Sequence, residues 1–338
     1  MTRRAAETVV ITGASAGVGR ATAREFAAHG ARLGLIARRT DGLNAAAEEC
    51  RALGGSAIAI PADVADADAI EDAAAQVEER FGPIDVWVNV AMATVFAPVE
   101  KTTPEEFRRA TEVTYLGCVH GTLAALKLMR TRNRGAIVQV GSALAYRAIP
   151  LQAPYCAAKF AIRGFTDSLR CELIHDRCNV ALTMVQMPAL NTPQFTWARN
   201  KTGWRPQPVP PIFQPEVAAR AIYFAAHSGR REVWVGWPSV RAILAQRLVP
   251  GWLDHYLARY GYESQMSREP ADPNAPDNLF TPLPGDFGAH GRFDKQASET
   301  CSQLPLTRNR GAIGAGIAAL AVGLGAAAVL ARRNGNGR

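Results

Sequence analysis

The sequence predicts an α/β fold, a doubly wound parallel sheet, followed by an irregular C-terminal extension and a C-terminal transmembrane helix. Three observations lead there. Short apolar runs alternate with Ala-, Arg- and Glu-rich helical segments over the first 240 residues. Beyond about residue 190 that alternation gives way to Trp- and Pro-rich sequence. Near the end, Gly311–Ala331 is a run of 21 uncharged residues. Repeated strand–helix alternation requires parallel strands with helices on both faces, because each crossover must lie over the sheet. With 338 residues, 48% hydrophobic and 20% charged, the chain is long and apolar enough for one large domain and an extension. The expected division is 1–240 for the sheet domain, 241–307 for the extension and linker, and 308–338 for an anchor with basic flanks.

The strands are expected at Thr8–Thr12, Leu33–Ala37, Ala57–Pro61, Val86–Asn89, Ala136–Val140, Ala181–Val185 and Glu232–Val235. Helical segments between them include Arg20–His29, Asp66–Phe81, Pro104–Met129 and Pro154–His175. The turn after the first strand reads Thr12-Gly13-Ala14-Ser15-Ala16-Gly17-Val18-Gly19. Gly13, Gly17 and Gly19 let a backbone approach a pyrophosphate, and the helix that follows offers free N–H groups and a positive dipole end. Ser15 and Val18 sit on the same turn. This is a Rossmann-type dinucleotide site. The second strand ends Ile36-Ala37-Arg38-Arg39 with no acid to accept from ribose hydroxyls. Arg38 and Arg39 suit a 2′-phosphate, which makes NADP(H) the expected cofactor. Asp63-Val64 closes the third strand, where a carboxylate and an amide meet an adenine edge.

Residues 239–260 regain a helical pattern broken at Pro250-Gly251, and 264–307 reads as an extended linker or a surface strap. A helix over Gly311–Ala331 would span about 30 Å, a bilayer core. Residues 301–338 hold five arginines and no acid, so +5 of the net +8 charge belongs to the tail and only +3 to residues 1–300. Basic residues around an apolar run point to a membrane, not to nucleic acid. None of the six cysteines forms a CxxC pair and no Cys/His cluster has zinc spacing, so no metal is expected. Met1-Thr2-Arg3-Arg4 runs almost directly into a strand without an apolar signal region, which places the catalytic domain on the cytoplasmic side of the membrane.

Tyr155 and Lys159 are four residues apart on one expected helix and share a face. Ser142 ends a strand on the edge where ligands bind. A carbonyl that receives hydride needs a proton. A phenol with a pKa of about 10 gives and takes that proton near neutrality only if a neighbouring cation favours the phenolate. Ser142 would hold the substrate oxygen.

These residues carry a resemblance. Thr12–Gly19, Asp63-Val64, Asn89-Val90-Ala91, Ser142, Tyr155-Cys156-Ala157-Ala158-Lys159 and Pro188 with Thr192 resemble the short-chain dehydrogenase/reductase superfamily over roughly residues 6–240. The resemblance implies that Tyr155 is the general acid/base, that Lys159 lowers its pKa and binds the nicotinamide ribose, and that Ser142 orients the substrate. It further implies cofactor contacts at Asn89, Ala91, Pro188 and Thr192. Three positions depart from the family pattern: Val90 and Met92 in place of the usual Asn and Gly, Ala189 in place of Gly, and Thr114 where an asparagine usually completes a catalytic tetrad.

The expected substrate is a carbonyl or alcohol of lipophilic character. Leu144, Tyr146, Gln152 and Phe195 are candidate contacts, with Trp197, Trp204 and Phe213 nearby. Those aromatics fit equally well as packing against a subunit interface of a homo-oligomer or against the C-terminal strap. The alternative function is a non-catalytic NADP(H)-binding, membrane-associated scaffold, motivated by Thr114, Val90 and the tail.

Overall fold

A computed structural model describes residues 6–310. Seven parallel strands form its sheet: β1 (Thr8–Thr12), β2 (Arg32–Ala37), β3 (Ser56–Pro61), β4 (Val86–Asn89), β5 (Gly135–Ser142), β6 (Val180–Met187) and β7 (Glu232–Trp234). Their order across the sheet is β7-β6-β5-β4-β1-β2-β3. All of β1 is buried, as a strand covered on both faces must be. Ile11, Leu33, Leu35 and Ile36 are fully buried, and each such side chain contributes about 1.5–3 kcal/mol.

The helices are α1 (Gly17–Ala28), α2 (Thr40–Ala52), α3 (Ala67–Phe81), α4 (Pro104–Thr111), α5 (Gly117–Arg132), α6 (Ala153–His175) and α7 (Pro215–Ala226). α1 packs on α2 and α7, whereas α3 packs on α5 and α4 on α6. Strand order reverses between β1 and β4, which are adjacent although two strands and three crossovers separate them in sequence. The crevice at such a switch point, at the C-terminal strand ends, is where ligands bind in open sheets. In register, Asn89 pairs with Gln139 and Ser142 with Met187, so these strand ends share one edge.

One element differs from expectation. The helix expected over Pro104–Met129 is broken: α4 and α5 are separated by a π-helical turn, Glu112–Leu116. Thr114 lies in that turn, and its hydroxyl bonds both the N–H and the C=O of Ala93 at 2.9 and 3.0 Å, which holds the widened turn. Helix α2 follows helical spacing in its buried Leu43, Ala46, Ala47 and Cys50, although Gly42 and Asn44 weaken it.

Residues 6–301 belong to one compact unit, extension included. Helices α8 (Gly236–Leu248) and α9 (Pro250–Tyr260) meet at a corner at Val249. Met266–Pro270 then pairs antiparallel with Trp204–Pro206, and Ala297–Ser298 pairs with Ile212–Phe213. The intervening residues form a strap with Leu279 and Phe293 buried. A short helix, Gln303–Arg308, lies in the second unit. No helix of the described residues is long and apolar enough to cross a membrane. The span expected at Gly311–Ala331 lies outside the described residues. All six cysteines are free thiols.

Candidate active site

The turn after β1 is built for a close approach. Thr12 accepts the N–H groups of Val90 and Ala91 at 3.1 and 3.3 Å and so joins the two strands at the switch point. Gly13 has φ +68°, and a Cβ there would stand 2.8 Å from the Ala91 Cα. A Cβ on Gly19 would fall 2.1 Å from the Gly13 carbonyl oxygen. Side chains at either position would force the turn apart. Helix α1 starts at Gly17 without a side-chain cap, so its N-terminal amides are left to backbone and ligand partners. One of them, the Gly17 N–H, donates to the Gly288 carbonyl at 3.1 Å.

A single cleft runs from this turn across the strand ends. Gly13, Ser15, Val18 and Gly19 line one wall; Arg38, Arg39, Asp63 and Val64 line the end over β2 and β3. Ala91, Pro188 and Thr192 follow towards the opposite end, where Ser142, Tyr155 and Lys159 converge. The sequence-predicted groups at the two ends of the site are thus brought together.

At the reacting end Ser142 is placed by the last residue of β5, and its Oγ accepts the Leu144 N–H at 3.1 Å. Tyr155 lies in the first turns of α6. Burial pushes its phenol above the ordinary value, and a hydrogen bond with Ser142 offsets part of that. Lys159, one turn later, is buried. Its Nζ donates to the Val140 carbonyl at 2.6 Å and stands 5.5 Å from the Tyr155 ring centroid. Burial lowers its pKa to about 8. The ammonium is therefore still the main form near neutrality.

Other expected residues are placed differently. Arg38 lines the cleft, but its guanidinium is taken by the strap: it donates to the carbonyls of Asn278, Leu279 and Phe280. Arg39 pairs with Asp41 at 2.9 Å. Asp63 is neutralised by Arg109, which also donates to the Leu279 carbonyl at 3.1 Å. Asn89 does not reach the cleft. Its amide donates to Gln139 at 2.9 Å and Thr122 at 3.1 Å and accepts from Trp87 at 2.9 Å, a buried network that uses the whole side chain. Thr114 is likewise turned to Ala93 and lies outside the cleft lining.

The four substrate candidates are not cleft residues. The Leu144 N–H donates to Ser142. The Tyr146 phenol donates to Glu232 at 2.8 Å, with Arg163 3.9 Å from its ring centroid. Gln152 is buried and donates to Gln265 at 2.7 Å. Phe195 packs with Phe96, Ile212 and Phe293. Packing against the strap, the second reading of these aromatics, describes Phe195 and also Trp197, whose ring meets Phe287 at 4.7 Å edge to face. Trp197 nevertheless lines the cleft, as do Met187 and Leu190.

Sequence reasoning missed the outer wall altogether. Asn278, Pro282, Leu283, Gly285 and Phe287 of the strap all line the cleft. Asp286 anchors them by a two-point ion pair with the buried Arg20 of α1, one arm at 3.1 Å. Gly285 N–H donates to Asp41 at 3.1 Å. The acidic residue in a Gly/Pro-rich segment was the one available signal, and nothing in the spacing tied it to Arg20.

Comparison with known proteins adds a second line. The short chain dehydrogenase family model matches residues 7–202. The chain is 32% identical over 276 residues to the uncharacterized oxidoreductase YxnA of Bacillus subtilis (strain 168), covering 81% of this chain and 78% of that protein. It is 33% identical over 231 residues to 17-beta-hydroxysteroid dehydrogenase 13 of Rattus norvegicus, covering 68% and 75%. Among solved structures, an alcohol dehydrogenase from the archaeon Thermococcus sibiricus complexed with 5-hydroxy-NADP superposes with a TM-score of 0.59 at 27% identity, over 68% of this chain and 95% of that one.

Proposed function

The chain belongs to the short-chain dehydrogenase/reductase family, a family of oxidoreductases that bind a nicotinamide cofactor, and on that basis we propose that it is an NADP(H)-dependent enzyme acting on a lipophilic carbonyl or alcohol with Tyr155 as its general acid/base. The observation that carries this reading is the meeting of Ser142, Tyr155 and Lys159 in the same cleft as the Gly13–Gly19 turn.

The cleft fits a dinucleotide. Its turn excludes side chains at Gly13 and Gly19, and the uncapped start of α1 offers N–H groups for a pyrophosphate. Gly13, Ser15, Val18 and Gly19 would hold the phosphates, Asp63 and Val64 the adenine, and Ala91, Pro188 and Thr192 the nicotinamide half. The bound cofactor supplies or accepts the hydride. Tyr155 gives a proton to the carbonyl oxygen in reduction and removes it from the alcohol in oxidation. Its raised pKa keeps it protonated at rest, which suits the donor role. Ser142 bonds the same oxygen and shares its developing charge. The Lys159 ammonium favours the phenolate left behind; Coulomb attraction over about 5 Å at an effective dielectric of about 20 is worth about 3 kcal/mol.

NADP(H) preference is supported by the positive charge of Arg38 and Arg39 at the adenosine end, although a 2′-phosphate would have to draw Arg38 from the strap carbonyls and Arg39 from Asp41, and by the pairing of Asp63 with Arg109, which offsets a negative charge there. The 5-hydroxy-NADP in the archaeal relative accords with it. A lipophilic substrate is supported by Met187, Leu190 and Trp197 in the cleft and by the hydroxysteroid named for the rat relative. A membrane anchor at 311–331, with the catalytic unit on the cytoplasmic side, completes the proposal and rests on the sequence alone.

Purified protein is to be assayed against hydrophobic ketones and aldehydes with NADPH and NADH in turn. Turnover with NADPH exceeding that with NADH is expected. Dinucleotide binding without turnover of any member would favour the scaffold reading, and equal rates would remove the role given to Arg38.

A further inference from the structure

Among the described residues, eighteen large hydrophobic side chains are exposed, and eight of them fall between Trp237 and Tyr262. They belong to α8, α9 and the residues bordering them. A soluble surface scatters such residues singly; a cluster marks a surface that is covered in use. The most exposed are at the corner where the helices meet: Leu248 at 78% and Trp252 at 61%, with Val249 between them. Tyr256 stacks on Trp252 with centroids 5.2 Å apart, and Tyr260 follows at 5.1 Å, so an aromatic row runs along the exposed face of α9.

The corner is rigidly mounted. Ile243 and Leu253 are buried beneath the two helices. Arg147 donates to Gln246 and to the Pro250 carbonyl across the corner, at 3.0 and 3.5 Å, and pairs with Asp254 at 2.6 Å. Asp254 is the sole acid between residues 236 and 262, and it is thereby neutralised. Arg241, Arg247 and Arg259 of the same two helices are exposed, Arg247 beside the Tyr146 ring and Arg259 beside that of Tyr260.

We propose that the α8–α9 corner is a membrane-docking element that sets Leu248, Val249 and Trp252 into the surface of an anionic bilayer, with the three arginines on lipid phosphates. A protruding tip suits a soft lipid layer. Tryptophan and tyrosine settle at the depth of the headgroups, and arginines near an anionic surface add attraction to lipid phosphates. A second copy of the chain is the poorer occupant. A two-fold contact would bring six arginines together, more than Asp254, already held by Arg147, and the exposed Glu263 of each copy would offset. The docked face adjoins the reacting end, because Arg147 lies on the loop that follows Ser142, and Gln265, just beyond α9, bonds Gln152 of that loop. A lipid-dissolved substrate would then meet the enzyme near its chemistry.

The test is amide exchange on the full-length protein, read peptide by peptide, without vesicles, with phosphatidylcholine vesicles, and with vesicles containing roughly one quarter phosphatidylglycerol. The anionic vesicles are expected to slow exchange across 244–262 by about fivefold or more, and neutral vesicles by less. Tethering elsewhere in the chain raises the local lipid concentration but does not itself protect these amides. Leu248→Ser with Trp252→Ser is expected to abolish the slowing without changing exchange in the sheet. Exchange at 244–262 indifferent to vesicles overturns the proposal. Protection that follows protein concentration instead of lipid assigns the face to a second copy and overturns it as well.

Discussion

Lys159 holds an ammonium in a buried site, where it donates to the Val140 carbonyl. Burial moves its pKa from 10.5 down to about 8. Between those values the unfolded chain binds a proton that the folded chain does not, so the contribution of Lys159 to stability rises as pH climbs through that window and is least below it. Wild type should therefore gain thermal midpoint on Lys159→Met between about pH 7.5 and pH 10; parallel curves would show that the amine is not buried as a cation. The convergence of Ser142, Tyr155 and Lys159 in the cleft was legible in the sequence because helical periodicity puts Tyr155 and Lys159 on one face and strand periodicity puts Ser142 on an edge. Asn89, Thr114, Tyr146, Gln152 and Phe195 were not. Asn89 and Thr114 are spent on buried hydrogen bonds with Gln139 and Ala93, and Tyr146, Gln152 and Phe195 are drawn to Glu232, Gln265 and Phe293. No spacing rule reports where a partner dozens of residues away will stand.

At the scale of elements, the strands were found within a residue or two because a sheet buried on both faces demands continuous apolar runs. The helix over Pro104–Met129 was read as unbroken because a π-turn leaves both flanking helices their normal pattern. The strap was recognised as extended, but its role as the outer wall of the cleft was not, since it carries no periodicity and two of its anchors, Arg20 and Arg38, lie more than 200 positions away. That wall has a measurable consequence. Arg20 keeps Glu49 at 3.0 Å when Asp286 is removed, so Asp286→Ala loosens the strap without leaving a buried cation unpaired. NADPH should dissociate from Asp286→Ala about tenfold faster, with thermal midpoint little changed, because affinity differences within one site appear mostly in the off-rate. An unchanged off-rate by stopped-flow fluorescence would mean that the strap does not retain cofactor.

For the whole molecule, charge and hydropathy divide the chain unevenly: a near-neutral body of 300 residues and a tail with five arginines around an apolar run. This division leads to a fractionation experiment. The full chain should stay with membranes through a high-salt wash, and a chain ending at Thr307 should turn over substrate at a similar rate while holding to membranes more weakly. Full-length protein recovered wholly in the soluble fraction would remove the anchor at 311–331 and with it one support for a lipophilic substrate.

The central claim is that this cleft performs proton-coupled hydride transfer through Tyr155. Tyr155→Phe removes one hydroxyl from a site where the ring and its packing remain, so any change belongs to the proton. With the best carbonyl substrate and saturating NADPH, the variant should bind the dinucleotide within about twofold of wild type and turn over at least about a hundredfold more slowly, a usual size for a lost acid–base group. Turnover equal to wild type, with binding intact, would contradict the account.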